Sequence, residues 1–355
     1  MTATELLETL VNTRSVSGEE ARLADCVTTI LQSDGFEVQR TGDSVWFTIA
    51  REEGPRLLLV SHLDTVPPCE GWNSDPFQLS REGEKLIGLG ANDAKGCVAA
   101  MMIAARVLRD EEIDGSITFA FVAEEERGGA GMRAVKEVLP RIDAAIVGEP
   151  TSLEVCTAQR GMLILRCTAH GTSAHVAHPE LGENAIHKAA RDITRLAEMK
   201  FAHDHSLGAT RAHVTQITGG MARNQVPDRC EFFVDLRTTP NLDHDEVTAA
   251  VDAALESEVA VHSARYLPVA TDESEPIVRA ALQAAGREHG IGSATASDWA
   301  FLKEIPTVKI GPGDTNRSHR PNEYLLVHEL ETGAAFYQRA VRSYFELVAK
   351  ENAHA

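Results

Sequence analysis

The chain has 355 residues, 43% of them hydrophobic, and sets 34 Lys and Arg against 53 Asp and Glu for a formal net charge of -19. That length exceeds a usual single domain and the apolar content is ample for a large core, so two domains are the default expectation. The acidic balance, with no Lys/Arg-rich run, argues against nucleic acid or an anionic membrane as a partner. Six cysteines (Cys26, Cys69, Cys97, Cys156, Cys167 and Cys230) are widely spaced without a CxxC pair. They read as reduced packing residues, which fits the cytoplasm. The N-terminal MTATELLETLVNTRS has acidic residues and helically spaced Leu and Val instead of a basic start and an apolar run. No apolar stretch reaches the roughly 18 residues of a membrane span, so neither an export signal nor a span is expected.

The first third alternates two periods. Helical spacing up to residue 35 gives way to strands at EVQRTG, SVWFTIA and RLLLVSHLD, then to a helix KGCVAAMMIAARVLRD after the turn GLGAN. SITFAFVAEEE is a buried strand running into acid, and DAAIVGEPT is another short apolar strand ending in a carboxylate. This alternation predicts an α/β domain: a mostly parallel sheet covered by helices on both faces. Between about residues 161 and 270 the order becomes β-α-β-β-α-β, that of a ferredoxin-like α+β sandwich. After it, helix, strand and a long amphipathic helix resume. The expected organisation is a discontinuous domain of residues 1–161 and 272–355 with an inserted domain of residues 162–271.

Chemistry-bearing residues gather at the ends of these strands. His62 ends RLLLVSH, where open α/β sheets place their ligand sites, and Asp64 points to the same side in an extended strand and could orient the imidazole. Taken alone, the pair is better explained as a polar strand end capped by a turn at Val66-Pro67-Pro68. Asp93 precedes a helix and could be a plain N-cap; Gly88 and Gly90 give GxG, but Asp at position 93 excludes a dinucleotide phosphate loop. Glu124-Glu125-Glu126 is harder to dismiss, because three adjacent carboxylates at a strand end repel one another unless a cation or solvent relieves them. Successive side chains diverge, so one of Glu125 and Glu126 can bind a metal while the other acts as general base. Glu149 ends its strand before Pro150, and His319 lies in the Gly/Pro-containing loop GPGDTNRSHRPNEYL. Individually each is ordinary. Together His62, Asp93, Glu126, Glu149 and His319 make the ligand inventory of a site for two divalent ions with one shared carboxylate. His175, in AHGTSAHVAHPELGENAIH, is the candidate from the inserted domain, and the run His203-Asp204-His205 reads as a solvated face.

Seven segments occur in an order and spacing that resemble the M20 metallopeptidase and deacylase family: SHLDTVP, GANDAKG, AEEERGGAG, VGEPT, GTSAHVAHP with ENAI, NQVPDRCEFFVDLR and GPGDTNRSHRPNEY. The resemblance runs the length of the chain. It implies two Zn2+ or Co2+ ions bridged by Asp93, with His62 and Glu149 on one ion and Glu126 and His319 on the other. It also implies Glu125 as general base, Asp64 as partner of His62, and an inserted domain that serves as lid and homodimer interface. His175, contributed in that family by the partner subunit, would stabilise the tetrahedral oxyanion. Arg160, Asn224 and Arg237 are candidates for the substrate carboxylate. Within the family the chain resembles the acetylornithine deacetylases and related N-acylcitrulline deacylases of arginine biosynthesis, which implies removal of the N-acetyl group from a small N-acyl amino acid. A sibling deacylase acting on N-acetylcitrulline, an N-succinyl amino acid or succinyl-diaminopimelate, an M20 dipeptidase, and a non-catalytic metal-binding scaffold are the alternatives. Asn92, where many relatives carry Ser, Cys or Val, has no evident reason at this level.

Overall fold

The computed structural model describes residues 1–50, 54–201, 203–204 and 206–353. Helix α1 (Ala3–Asn12) starts on a capping box, in which Glu5 N–H donates to Thr2 Oγ1 at 3.2 Å and Thr2 N–H to Glu5 Oε2 at 2.7 Å. Helix α2 (Ala21–Ser33) leads to an antiparallel hairpin of β1 (Val38–Thr41) and β2 (Ser44–Ile49), whose two-residue connection is eased by Gly42 at φ 58°. Then follow β3 (Arg56–His62), α3 (Lys95–Leu108), β4 (Ser116–Val122), α4 (Ala130–Val138), β5 (Ala144–Val147) and β6 (Cys156–Gln159). The inserted segment contributes β7 (Met162–His170), α5 (Ala185–Glu198), β8 (Ala212–Gly219), β9 (Arg229–Leu236), α6 (His244–Ala254) and β10 (Glu258–Tyr266). The chain returns through α7 (Pro276–Ala285), β11 (Thr307–Lys309) and α8 (Val327–Asn352).

The main sheet has the order β1-β2-β4-β3-β5-β11-β6. Its centre is parallel, β3 pairing with β4 and β5, and β5 with β11; β2 against β4 and β11 against β6 are antiparallel. Leu57, Leu58, Leu59 and Val60 of β3 are all fully buried, and since successive side chains point to opposite faces, both faces of the sheet are covered. Helix α3 is apolar almost all round because it packs against β3 and β4 on one side and α1 and α8 on the other.

Met1–Thr157, Thr271–Ile291 and Ser297–Ala355 pack as one unit, and Ala158–Ala270 with Gly292–Ala296 as the second. The short return at 292–296 is held by Arg160 N–H donating to the Ser293 carbonyl at 3.1 Å. In the second unit the sheet order is β8-β9-β7-β10, antiparallel throughout, the ferredoxin-like arrangement. Asn184 caps α5, its Oδ1 accepting from the Ile186 and His187 N–H groups at 2.9 and 3.2 Å. Buried Asp192 on α5 accepts from Ser257 Oγ at 2.6 Å and Ser257 N–H at 2.9 Å, tying that helix to the start of β10.

Candidate metal centre

Strands β3, β4 and β5 are parallel neighbours, so their C-terminal ends share one edge of the sheet. That edge carries His62 as the last residue of β3, the acidic triple just beyond β4, and Glu149 just beyond β5. Asp93 enters from the turn before α3, and the strap 313–323 after β11 brings His319. The strap re-enters regular structure where Tyr324–Leu326 pairs antiparallel with Lys85–Ile87.

Within this cluster Asp93 faces both histidines. Its Oδ1 is 3.3 Å from His62 Nε2, and its Oδ2 is 3.7 Å from His319 Nε2. His319 Nε2 also lies 2.8 Å from Glu126 Oε1. Donor atoms of His62, Asp93 and Glu149 lie within 4.8 Å of one another, as do those of Asp93, Glu126 and His319, and those of His62, Glu125 and Glu126. The first two trios share only Asp93 and use every other ligand once, which leaves Glu125 outside both; the third competes with them for His62 and Glu126. Imidazole nitrogens and carboxylates in such sets match the donor preferences of divalent Zn-like ions.

The electrostatics also fit cations. Burial pushes the Glu149 carboxyl up to about 8, with Asp93 adding to it. Burial drives Glu125 well above the usual carboxylate range, reinforced by Asp298, Glu149 and Glu126 against the lowering by His62. Asp298 rises to about 7, chiefly by burial, and its Oδ1 has no hydrogen-bond partner among the described residues. His319 rises to about 9, held protonated by Glu126 first. Crowded buried carboxylates are costly unless their charge is neutralised, and two divalent ions would neutralise these at short range.

Asp64 meets His62 with both its main chain and its side chain. The His62 Nδ1 hydrogen bond, at 3.0 Å, is to the Asp64 backbone carbonyl, whereas the nearest carboxylate oxygen is 3.6 Å away. The carboxylate instead accepts from Ser17 Oγ at 2.6 Å and from the Glu125 and Glu126 N–H groups at 3.0 and 3.1 Å. Asp64 therefore orients the imidazole through its main chain and the two glutamates through its side chain. Donation from Nδ1–H leaves Nε2 as the lone-pair nitrogen, the one that faces Asp93. Glu124 sits at φ 57° with its carbonyl accepting from Gly129 N–H at 2.7 Å, and Gly129 at φ 66° completes the tight turn.

The inserted unit presents its candidates differently. His175 is exposed, and its Nδ1 accepts from Ala177 N–H at 3.1 Å, which puts the ring proton on Nε2 and makes that edge a donor. Asn224 is exposed, its carbonyl accepting from Val176 N–H at 3.0 Å. Arg237 forms a bidentate pair with Asp235, at 2.9 and 3.2 Å. Arg160 donates to the backbone carbonyls of Leu207, Ala209 and Arg237, work that ties loops together. The side chains of the run 203–205 lie outside the described residues.

Several residues of this centre were not singled out from the sequence. Lys309, at the end of β11, is buried beside Glu149, and Lys95 Nζ donates to the Leu10 and Thr13 carbonyls at 3.0 and 3.1 Å, closing α1 against α3. Glu323 accepts from the backbone of Asn92 and Asp93, and Asp298 opens a short 3-10 turn behind its cap Ser297. A lysine at the end of the short buried strand TVK was the one local signal, at Lys309.

Residues 58–343 match the family described as Peptidase family M20/M25/M40. The chain is 32% identical over 352 residues to a Mycobacterium tuberculosis (strain CDC 1551 / Oshkosh) protein with the provisional name succinyl-diaminopimelate desuccinylase DapE, covering 94% of this chain and 96% of that one. Among solved structures, a tripeptidase from Staphylococcus aureus subsp. aureus Mu50 superposes with a TM-score of 0.81 at 21% identity, covering 97% of this chain and 98% of that one. The aminopeptidase PepT from Bacillus cereus ATCC 10987 gives 0.80 at 23% identity, covering 96% and 98%. These two share the fold. The chain belongs to peptidase family M20/M25/M40 and is a metal-dependent hydrolase of that family.

Proposed function

We propose that the chain is a two-metal deacylase that cleaves the amide of a small N-acyl amino acid in the cytoplasm, with N-acetyl-L-ornithine as first candidate substrate. The observation that carries this reading is Asp93, whose two oxygens face two different histidines while Glu125 stays outside both ligand trios. His62, Asp93 and Glu149 would hold one ion and Asp93, Glu126 and His319 the other, as Zn2+ or Co2+. A metal pair there would supply a Lewis acid for the acyl carbonyl and a water acidic enough to ionise near neutral pH.

The residues divide the remaining work. Glu125 takes the proton of the attacking water and delivers it to the leaving amine; its burial, first, and its carboxylate neighbours raise its proton affinity. Asp64 sets the direction of Glu125 and Glu126 through their N–H groups. His175, with its proton on Nε2, donates to the oxyanion from the partner subunit of a homodimer. Residues 1–161 and 272–355, apart from 158–161 and 292–296, which pack with the second unit, form the catalytic domain, and residues 162–271 the lid and dimerisation domain. In support, edge strand β8 exposes Ile217 at 53%, and Met221 just beyond it is 99% exposed. Arg237 and Asn224 are the candidates for the substrate carboxylate. Arg160 would have to release its carbonyls to join them.

The relative named for desuccinylation favours a second reading, N-succinyl-diaminopimelate as substrate. A succinyl group brings a second carboxylate, so the pocket must add a cationic contact that an acetyl group does not require. Turnover of N-acetylornithine, N-acetylcitrulline, their N-succinyl analogues and succinyl-diaminopimelate, measured side by side with added Zn2+ or Co2+, separates the two. Activity confined to acetyl substrates supports the first reading, and activity confined to succinyl-diaminopimelate the second. Inactivity on all of them, with dipeptides cleaved instead, overturns both.

A further inference from the structure

Asn92, fully buried and next to Asp93, uses both ends of its amide on the strap that carries His319. Its Oδ1 accepts from the Asp314 N–H at 2.9 Å, and its Nδ2 donates to the Asp314 carbonyl at 3.1 Å and to Ser318 Oγ at 3.2 Å. At the far end of the strap, Glu323 Oε1 accepts from the N–H groups of Asn92 and Asp93 at 3.0 and 2.9 Å. His319 lies between these two fastenings in left-handed backbone, φ 59°, a conformation that only surrounding contacts can hold in a non-glycine residue. The fit is close, since a Cβ on Gly313 would come within 2.4 Å of Asn92 Oδ1.

We propose that Asn92 is a positioning residue for the Glu126/His319 metal position: its amide fixes the strap so that His319 meets Glu126 and Asp93. The inference rests on the two-metal reading given above. An amide suits the task because it offers an acceptor and two donors on one short planar fork, matching the N–H and C=O of Asp314 together. Serine is too short to span both, valine satisfies neither, and aspartate would turn an acceptor and a second negative charge toward the Asp314 carbonyl and Asp93. The position closed by Asn92 is also the one with the more exposed histidine, His319 at 50% against 2% for His62, so it depends more on being held in place.

The test is Co2+ binding to metal-stripped full-length protein, followed by chelator competition and by metal content. Wild type should take up two ions. Asn92→Ser should hold one ion as wild type does and the other about 10- to 100-fold more weakly, the usual effect of removing a group that orients a ligand. In a His319→Ala background, which retains one ion, adding Asn92→Ser should change nothing further. Ser318→Ala, which removes a single contact, should weaken the same ion by less; it also carries the test if Asn92→Ser does not fold. Two ions held at wild-type affinity in both variants would overturn the proposal. So would equal weakening of both ions, the mark of a general structural role. Uptake of fewer than two ions by wild type would instead sink the two-metal reading, and this inference with it.

Discussion

Strand β3 of the larger unit, RLLLVSH, buries six of its seven residues, whereas β9 of the inserted unit, RCEFFVDL, alternates buried and half-covered positions along its length. The first strand is packed on both faces and the second on one, against α5. The difference extends to function. In the larger unit a strand buried on both sides can offer chemistry only at its end, so candidate ligands gather on one edge of the sheet, crowded and oriented by backbone N–H groups such as those that Asp64 accepts. In the inserted unit a half-covered face and an exposed edge strand leave His175, Asn224 and Arg237 near solvent. On the proposed function, one unit supplies preorganised electrostatics and the other adjustable contacts.

Glu125→Gln tests the larger unit most severely. It should retain metal and lose about 10²-fold or more in kcat, as for a lost general base; near-normal turnover would dismiss the role. His175→Ala tests the inserted unit, with an expected loss of about 10²-fold in kcat and unchanged metal content. Mixing it with Glu125→Gln should restore activity, because a mixed dimer regains one complete site if the histidine acts across the interface; no recovery in demonstrably mixed dimers would place His175 in its own subunit's site.

A smaller effect concerns pH. In the metal-free protein Glu149 and Glu323 titrate near 8, both raised first by burial, and His319 near 9. Groups whose folded pKa is raised bind more protons folded than unfolded, so their contribution to stability is present below the unfolded values and is lost as pH rises through the folded ones. The Tm of stripped protein should fall between about pH 5 and pH 9, and added Zn2+ should reverse the trend, since its ligands must be deprotonated. A flat profile in both forms would argue against a carboxylate-rich metal centre. Smallest in folding terms is Ile217→Asp, an exposed site on β8. It should shift monomer stability by no more than about 0.5 kcal/mol while dissociating the proposed dimer, read by sedimentation.

The element types were readable in advance because their signals are local. RLLLVSH announces a strand and SITFAFV a buried one by a continuous apolar run, and the β-α-β-β-α-β order of the inserted segment announces its sandwich. The acids and the histidine at strand ends could be collected for the same reason. The antiparallel margins of the main sheet were less visible, since a short apolar strand carries no mark of its neighbour's direction.

What the sequence determined by itself, then, was a set of elements and a set of candidate ligands, both encoded within a few residues of each position. Only the tertiary structure decided which oxygen of Asp93 faces which histidine, that the Asp64 carboxylate serves the glutamates while its carbonyl serves His62, and why Asn92 is an amide. Asn92 and Asp314 are 222 residues apart and Glu126 and His319 are 193 apart. Contacts at that separation arise from chain closure around the sheet edge, and the hydrogen-bonding needs they satisfy belong to two segments at once.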